Sequence, residues 1–337
     1  MLSVTKASFN LRSRIQDSSN GLQCVDIVEC SASGRLFIDK HTFMTSSTLE
    51  GRNASATALQ ELDLHLSIKN TANIVKLESY ALNGEQLHLL YEYCGRGDLL
   101  DLMTQELRLR KAGVFPRKAS LTTLTNSGRR HIFTSILQGV NALHSMEIVH
   151  MDLSLENIFI TDSGIVKVGD LGHAQRFQHD RPNLPILQVA KEAYAAPELL
   201  RHTEIEDARS ADAWSLGVIL WTLCTKRALI HCASSERDNL FHRMAECGTA
   251  VALQETGFLS NVPQLCFDLV VGLLDVNPKS RLSVEAALQH PWVKEVAANR
   301  PSRQLMKITY KVLNKDSEKK TILSSEIALD TTRVPLI

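Results

Sequence analysis

The sequence predicts an α+β chain, with strands gathered in roughly the first 95 residues and helices in the remainder. Three observations predict it. Short β-prone runs separated by turn residues lie at 24–30 and 35–43. Further on, Ile132, Ile136, Val140 and Leu143 form a helical apolar stripe, and the pattern stays helical from 238 to 297. The 337 residues, 44% of them apolar, are enough to bury one large core or two lobes.

The two N-terminal runs flank S-A-S-G, a hairpin turn. In the second run Leu36, Ile38 and Lys40 alternate, so all three point to one face of the strand, a lysine among apolar neighbours. A helix is expected over roughly 55–69, with Glu61, Leu64 and Ile68 on one side. Ahead of the runs, S-S-N-G-L-Q-C-V carries a single glycine, Gly21. Residues 101–128 contain R-L-R-K-A-G-V-F-P-R-K, a basic, proline-broken stretch read as a solvated loop, with a basic docking patch as the alternative, before a helix over 129–145. The apolar run 213–224 is too short for a bilayer, which needs about 20 residues, and reads as a buried core helix. After 297 the K-D-S-E-K-K run reads as a partly ordered tail.

Composition excludes several classes. Basic and acidic residues balance at 37 each, so no whole-molecule field points to nucleic acid or an anionic membrane. The seven cysteines include no C-x-x-C pair, which argues against a cysteine metal site or disulfide framework. Reduced thiols and an N-terminus without a signal-peptide core fit the cytoplasm, with the nucleus as an alternative.

Five stretches carry the chemistry. They are I-V-H-M-D-L-S-L-E-N-I-F-I at 148–160, K-V-G-D-L-G at 167–172, A-A-P-E at 195–198, D-A-W-S-L-G at 212–217 and R-L-S-V-E-A-A-L-Q-H-P-W at 281–292. In this order and spacing they resemble the eukaryotic protein kinases, serine/threonine type. The resemblance implies a bilobal fold with a small β-rich N-lobe (about 15–93) and a larger, mainly helical C-lobe (about 94–297). Residues 1–14 are then an N-terminal extension and 298–337 a C-terminal tail.

It also implies a reaction, transfer of the γ-phosphate of ATP, with Mg2+, to serine or threonine hydroxyls of a protein substrate. Asp152 falls at the catalytic base, and Asn157 and Asp170 at the metal ligands. Lys40 is expected on the phosphates, paired with Glu61; Glu50 is a weaker candidate for that partner. The nucleotide lid has only Gly21, with Val25 as the apolar cap on adenine. L-H-L-L-Y-E-Y-C-G-R-G-D-L-L at 87–100 resembles the hinge between lobes. Backbone groups of Glu92 to Cys94 would meet the adenine edge, Asp98 would sit near the ribose, and Tyr91 would guard the back of the slot. Ile38 and Phe159, above and below the base, are larger than the family's residues and with Tyr91 narrow the slot.

The departures are informative. Met151 replaces the arginine before the base, and 173–196 holds no serine or threonine, only Tyr194. The two absences agree, and they imply that phosphorylation of this segment is not the switch. Ser154 stands where a lysine is usual and Lys191 where a threonine is usual, so Lys191 is expected to bring the missing cation to the site. Glu198 is expected to pair with Arg281, and Asp212 to hold the catalytic-loop backbone. The sequence leaves oligomeric state open. The alternative reading is a kinase-shaped scaffold with weak or no turnover that acts through protein partners.

Overall fold

Side chains that alternate across strands build the N-terminal part of the computed structural model, which describes residues 8–18, 20–69, 71–113, 122–178, 184–185, 189–201, 204–260 and 262–295. Strands β1 (Phe9–Asp17), β2 (Gln23–Cys30) and β3 (Leu36–Phe43) lead to helix α1 (Leu49–Ser67). Strands β4 (Leu77–Asn83) and β5 (Gln86–Glu92) follow, and the antiparallel sheet runs β1-β2-β3-β5-β4. Register sets Val25 and Leu89 opposite Lys40, and Ile27 and Tyr91 opposite Ile38. These residues share one face; Phe37, Asp39 and His41 take the other.

Three local readings change. The sheet starts at Phe9, so residues 9–14 lie in β1 and not in an extension before residue 15. All nine β1 residues are exposed, so no buried-face alternation marks the strand in the sequence. Helix α1 starts at Leu49, six residues before the expected 55, because the Thr48 hydroxyl accepts the Gly51 N–H at 3.0 Å. The basic run is divided. Arg108, Arg110 and Lys111 close α2 (Leu99–Lys111), where cations favour the carbonyl end of a helix, while 114–121 lie outside the described residues.

The larger lobe is built around α3 (Asn126–Ser145) and, after the short strands β6 (Ile148–Val149), β7 (Ile158–Ile160), β8 (Val166–Val168) and β9 (Gln175–Arg176), the buried helix α5 (Ala208–Thr225). Ile132, Ile136, Val140 and Leu143 of α3 are fully buried, as their stripe requires. Strand β10 (Leu184–Pro185) and α4 (Pro197–Arg201) come next, then β11 (Glu204–Ile205), which pairs with β10. Asp207 caps α5 (Ala208–Thr225), and Trp214 and Trp221 on that helix are among the largest buried side chains. Helices α6 (Asn239–Cys247), α7 (Thr249–Glu255), α8 (Gln264–Leu273), α9 (Val284–Gln289) and α10 (Pro291–Lys294) complete the lobe. No described helix is long and apolar enough to cross a membrane.

One seam between the lobes runs beside the site. The Val168 N–H donates to Asn73 O (2.9 Å) and the Val75 N–H to Val168 O (2.8 Å). Leu64 and Ile74 join the large hydrophobic core with Val168, so the link after α1 is anchored beside the strand that leads to Asp170.

Candidate active site

The loop between β6 and β7 is fixed from below by one carboxylate. Asp212 of α5 accepts hydrogen bonds from His150 N (2.8 Å), Met151 N (2.9 Å) and His144 Nε2 (2.8 Å). Burial alone would raise its pKa; the bonds from His144 and His150 overcome this and hold the carboxyl below its ordinary value. Met151 is thereby kept at φ +64°, a left-handed conformation that non-glycine residues adopt only when their surroundings enforce it. His150 donates through Nε2 to Gly169 O (3.0 Å) and accepts the Asp152 N–H on Nδ1 (3.3 Å), joining this loop to 167–172.

Asp152 lies buried at the centre. Asn157 Nδ2 donates to its backbone O (2.7 Å) and to its Oδ2 (2.8 Å). Lys191 Nζ reaches the same Oδ2 from the far segment at 2.9 Å. Oδ1 has no hydrogen-bond partner among the described residues, so it is the oxygen left to accept a further proton donor.

A second chain of contacts crosses from the sheet. Lys40 Nζ lies 2.8 Å from Glu61 Oε2 and 2.9 Å from Asp170 Oδ1. Burial works against the charged ammonium, but Asp170 and Glu61 outweigh it and raise the lysine pKa. Lys40 in turn holds the Asp170 carboxyl well below the usual range against the opposing effect of burial. Gly172 makes room for this meeting, since a Cβ there would lie 3.3 Å from Asp170 Oδ1 and 3.5 Å from Lys40 Nζ. Glu50 sits in the exposed first turn of α1, and the Lys40 ion pair goes to Glu61.

The remaining expected positions are spread around these two clusters. Val25 faces Lys40 across β2 and β3, and Ile38 and Phe159 pack on the apolar cluster that includes Val75 and Tyr91. The Tyr91 hydroxyl donates to Glu61 Oε1 at 2.8 Å. The Glu92 carboxylate is taken up by Lys167 Nζ (2.8 Å) and Lys76 N (2.7 Å). Cys94 is buried, which pushes its thiol up to about 12, and its carbonyl accepts the Gly97 N–H. Asp98 caps α2 through Asp101 N (2.8 Å). Gly21 stands exposed at φ +68° in the β1–β2 turn. Away from the loop, Glu198 binds Arg281 through two hydrogen bonds, at 2.6 and 3.0 Å.

Two contributors escaped the sequence reading. His65 packs its ring 5.0 Å from that of Tyr91; burial, with Lys40 nearby, pushes it down to about 4 and leaves it neutral. Its position four residues after Glu61 was the available signal. His144 carried none, because its partner Asp212 is 68 residues away.

A family model described as "Protein kinase domain" matches residues 29–293. The serine/threonine-protein kinase polo of Drosophila melanogaster is 26% identical over 242 residues, 72% of this chain and 37% of that protein. The SNF-related serine/threonine-protein kinase of Homo sapiens is 28% identical over 253 residues, 74% and 30%. The serine/threonine-protein kinase SRK2G of Arabidopsis thaliana is 27% identical over 245 residues, 72% and 63%. The aligned region thus spans about a third of the length of the first two relatives. With the matched region covering most of its length, this chain belongs to the protein kinase family.

Proposed function

We propose that the chain is a protein kinase that transfers the γ-phosphate of ATP to serine or threonine hydroxyls of protein substrates. The observation that carries the reading is the unbroken series Glu61–Lys40–Asp170, each step within 3 Å, between the sheet and the segment beside Asp152. The names of the relatives support the serine/threonine class. The kinase region on this reading runs from β1 to about residue 297.

The donor set fits a hard divalent cation. Asp170 is kept ionised by Lys40, and Asn157 spends its amide nitrogen on Asp152, which leaves its carbonyl oxygen as the ligating atom. Mg2+ held by these two residues would neutralise phosphate charge. Lys40 binds and orients the nucleotide phosphates, with Glu61 and the Tyr91 hydroxyl fixing the lysine in turn. Asp152 uses Oδ1 to align the substrate hydroxyl and take its proton, while Asn157 and Lys191 hold Oδ2. Lys191 also supplies positive charge beside the reacting group, the work of the cation that Ser154 cannot do. Val25, Ile38 and Phe159 line the base slot, and the Glu92 to Cys94 backbone receives the adenine edge.

Transfer of label from radiolabelled ATP to a generic basic peptide, measured beside Asp152→Asn, tests the reading. Turnover in the variant is expected to fall by about 10²–10⁴-fold with the fold retained. Equal background in both proteins would overturn the enzyme reading in favour of a scaffold.

A further inference from the structure

The strand that carries Lys40 presents a different cluster on its other face. Asp39 and His41 are two residues apart and therefore point the same way. His88 on β5 is the direct cross-strand neighbour of His41, and Asp26 on β2 that of Asp39. Nothing in the phosphoryl-transfer chemistry uses these four residues, which the sheet separates from Lys40.

Their geometry is unusual for a sheet face. His88 Nδ1 lies 2.9 Å from Asp39 Oδ2, and His41 Nδ1 lies 3.6 Å from the same oxygen, too far for a hydrogen bond. The two imidazoles stack with centroids 5.2 Å apart. One donor atom from each of Asp39, His41 and His88 falls within 4.8 Å of the others. Asp39 is buried, and His41 and His88 keep only 13% and 22% of their side chains exposed. Within this enclosed cluster His41 Nδ1 and His88 Nε2 are buried without a hydrogen-bond partner.

A hydrogen bond between Asp39 and His88 Nδ1 accounts for part of this arrangement, but it leaves His41 Nδ1, which faces the same carboxylate oxygen, unsatisfied, a cost proteins normally avoid. We propose that Asp39, His41 and His88 bind a divalent transition-metal ion, Zn2+ foremost, on the face of the sheet opposite Lys40. Two imidazoles and one carboxylate suit Zn2+ and its borderline neighbours, whereas Mg2+ and Ca2+ take oxygen ligands. Metal–ligand bonds of about 2.0–2.2 Å in tetrahedral array set donors about 3.4 Å apart. The distances of 2.9 and 3.6 Å from the Asp39 oxygen to the two imidazoles bracket that value, and all three donor atoms lie within 4.8 Å of one another. Asp26 stands alongside and is already engaged by Arg14 at 2.9 Å, which makes it a neighbour that fixes the local charge and not a ligand. Three protein ligands leave a fourth position for water. The bound ion would clamp β3 to β5, the strands that bear Lys40 and Tyr91.

The test uses the whole chain, stripped with a chelator, dialysed and titrated with ZnCl2 by calorimetry, with Co2+ absorption as a second readout. Asp170→Asn removes the carboxylate proposed for Mg2+, and His41→Ala and His88→Ala remove the proposed Zn2+ ligands. One Zn2+ per chain is expected for the parent and for Asp170→Asn, with affinity lower by about 100-fold or more in each histidine variant. The Co2+ spectrum is expected to lack a thiolate charge-transfer band, which separates this site from the seven cysteines. Should a histidine variant fail to fold by circular dichroism, His41→Gln, His88→Gln and Asp39→Asn supply the same comparison. Absence of Zn2+ binding by the parent, unchanged affinity in folded variants, or a thiolate band would overturn the proposal.

Discussion

The catalytic loop and the β1–β2 turn would both work on the same nucleotide, yet they are built in opposite ways. The loop is buried and over-determined: Asp212, His150 and Asn157 each make more than one contact that fixes its path. The turn is exposed, and it is held by local bonds such as Gly21 N to Ser18 O and Leu22 N to Asn20 Oδ1. Groups that must aim at a reacting atom are set by buried, charge-assisted hydrogen bonds, which resist displacement. A lid that only covers phosphates tolerates a looser frame.

That contrast can be broken by mutation. Asp212→Ala removes the acceptor for two backbone N–H groups and for His144 at once. It is expected to cost about 3–5 kcal/mol in chemical denaturation. A loss below about 1 kcal/mol would mean that the loop holds its shape without this carboxylate. Lys191→Ala comes next. Turnover should fall by about 10²-fold with nucleotide affinity and thermal midpoint little changed, as read by steady-state kinetics and equilibrium binding. Unchanged turnover, with Asp152→Asn inactive, would remove Lys191 from the chemistry.

Smaller effects sharpen the comparison from the other side. Gly21→Ala meets no atom within 4 Å but sits at φ +68°, so it should cost about 1 kcal/mol of stability and shift the KM for ATP only slightly. A large rise in KM would show that the turn is as exacting as the loop. Lys226, at the end of α5, tests the scaffold beneath. Burial, with Arg129 nearby, pushes it down to about 7 from its ordinary 10.5. Between those values the unfolded chain binds more protons than the folded one, so stability should rise as pH rises from 7 towards 10. Denaturation midpoints for the parent and Lys226→Met should show that rise only in the parent.

Much of the fold was legible because it is written in local pattern. The α3 stripe and the apolar run of α5 record burial at short range, and the polar loop at 148–160 stands out between apolar strands. What escaped depended on distance or on exposure. β1 has no buried face to leave an alternating trace. The start of α1 hides in a run of serines and threonines, of which only Thr48 acts as the cap. In the site, the resemblance made the pairs Lys40–Glu61 and Glu198–Arg281 readable, but not the contact of Lys191 with the Asp152 carboxylate or of Tyr91 with Glu61. Lys191 and Asp152 are 39 residues apart, and the Tyr91 hydroxyl reaches Glu61 across 30. Only the folded chain converts such separations into 2.9 and 2.8 Å.

Strand β3 serves two faces with consecutive side chains, Asp39 and His41 one way and Lys40 the other. Because its period is two, a one-residue slip would turn the ammonium outward and send a carboxylate and an imidazole towards the nucleotide. An inserted or deleted codon between the two ends of this strand therefore forfeits both clusters together, whereas the same lesion in the exposed turn around Gly21 changes only loop length. Length variation in descendants of this gene should accordingly collect at the turn and spare the strand.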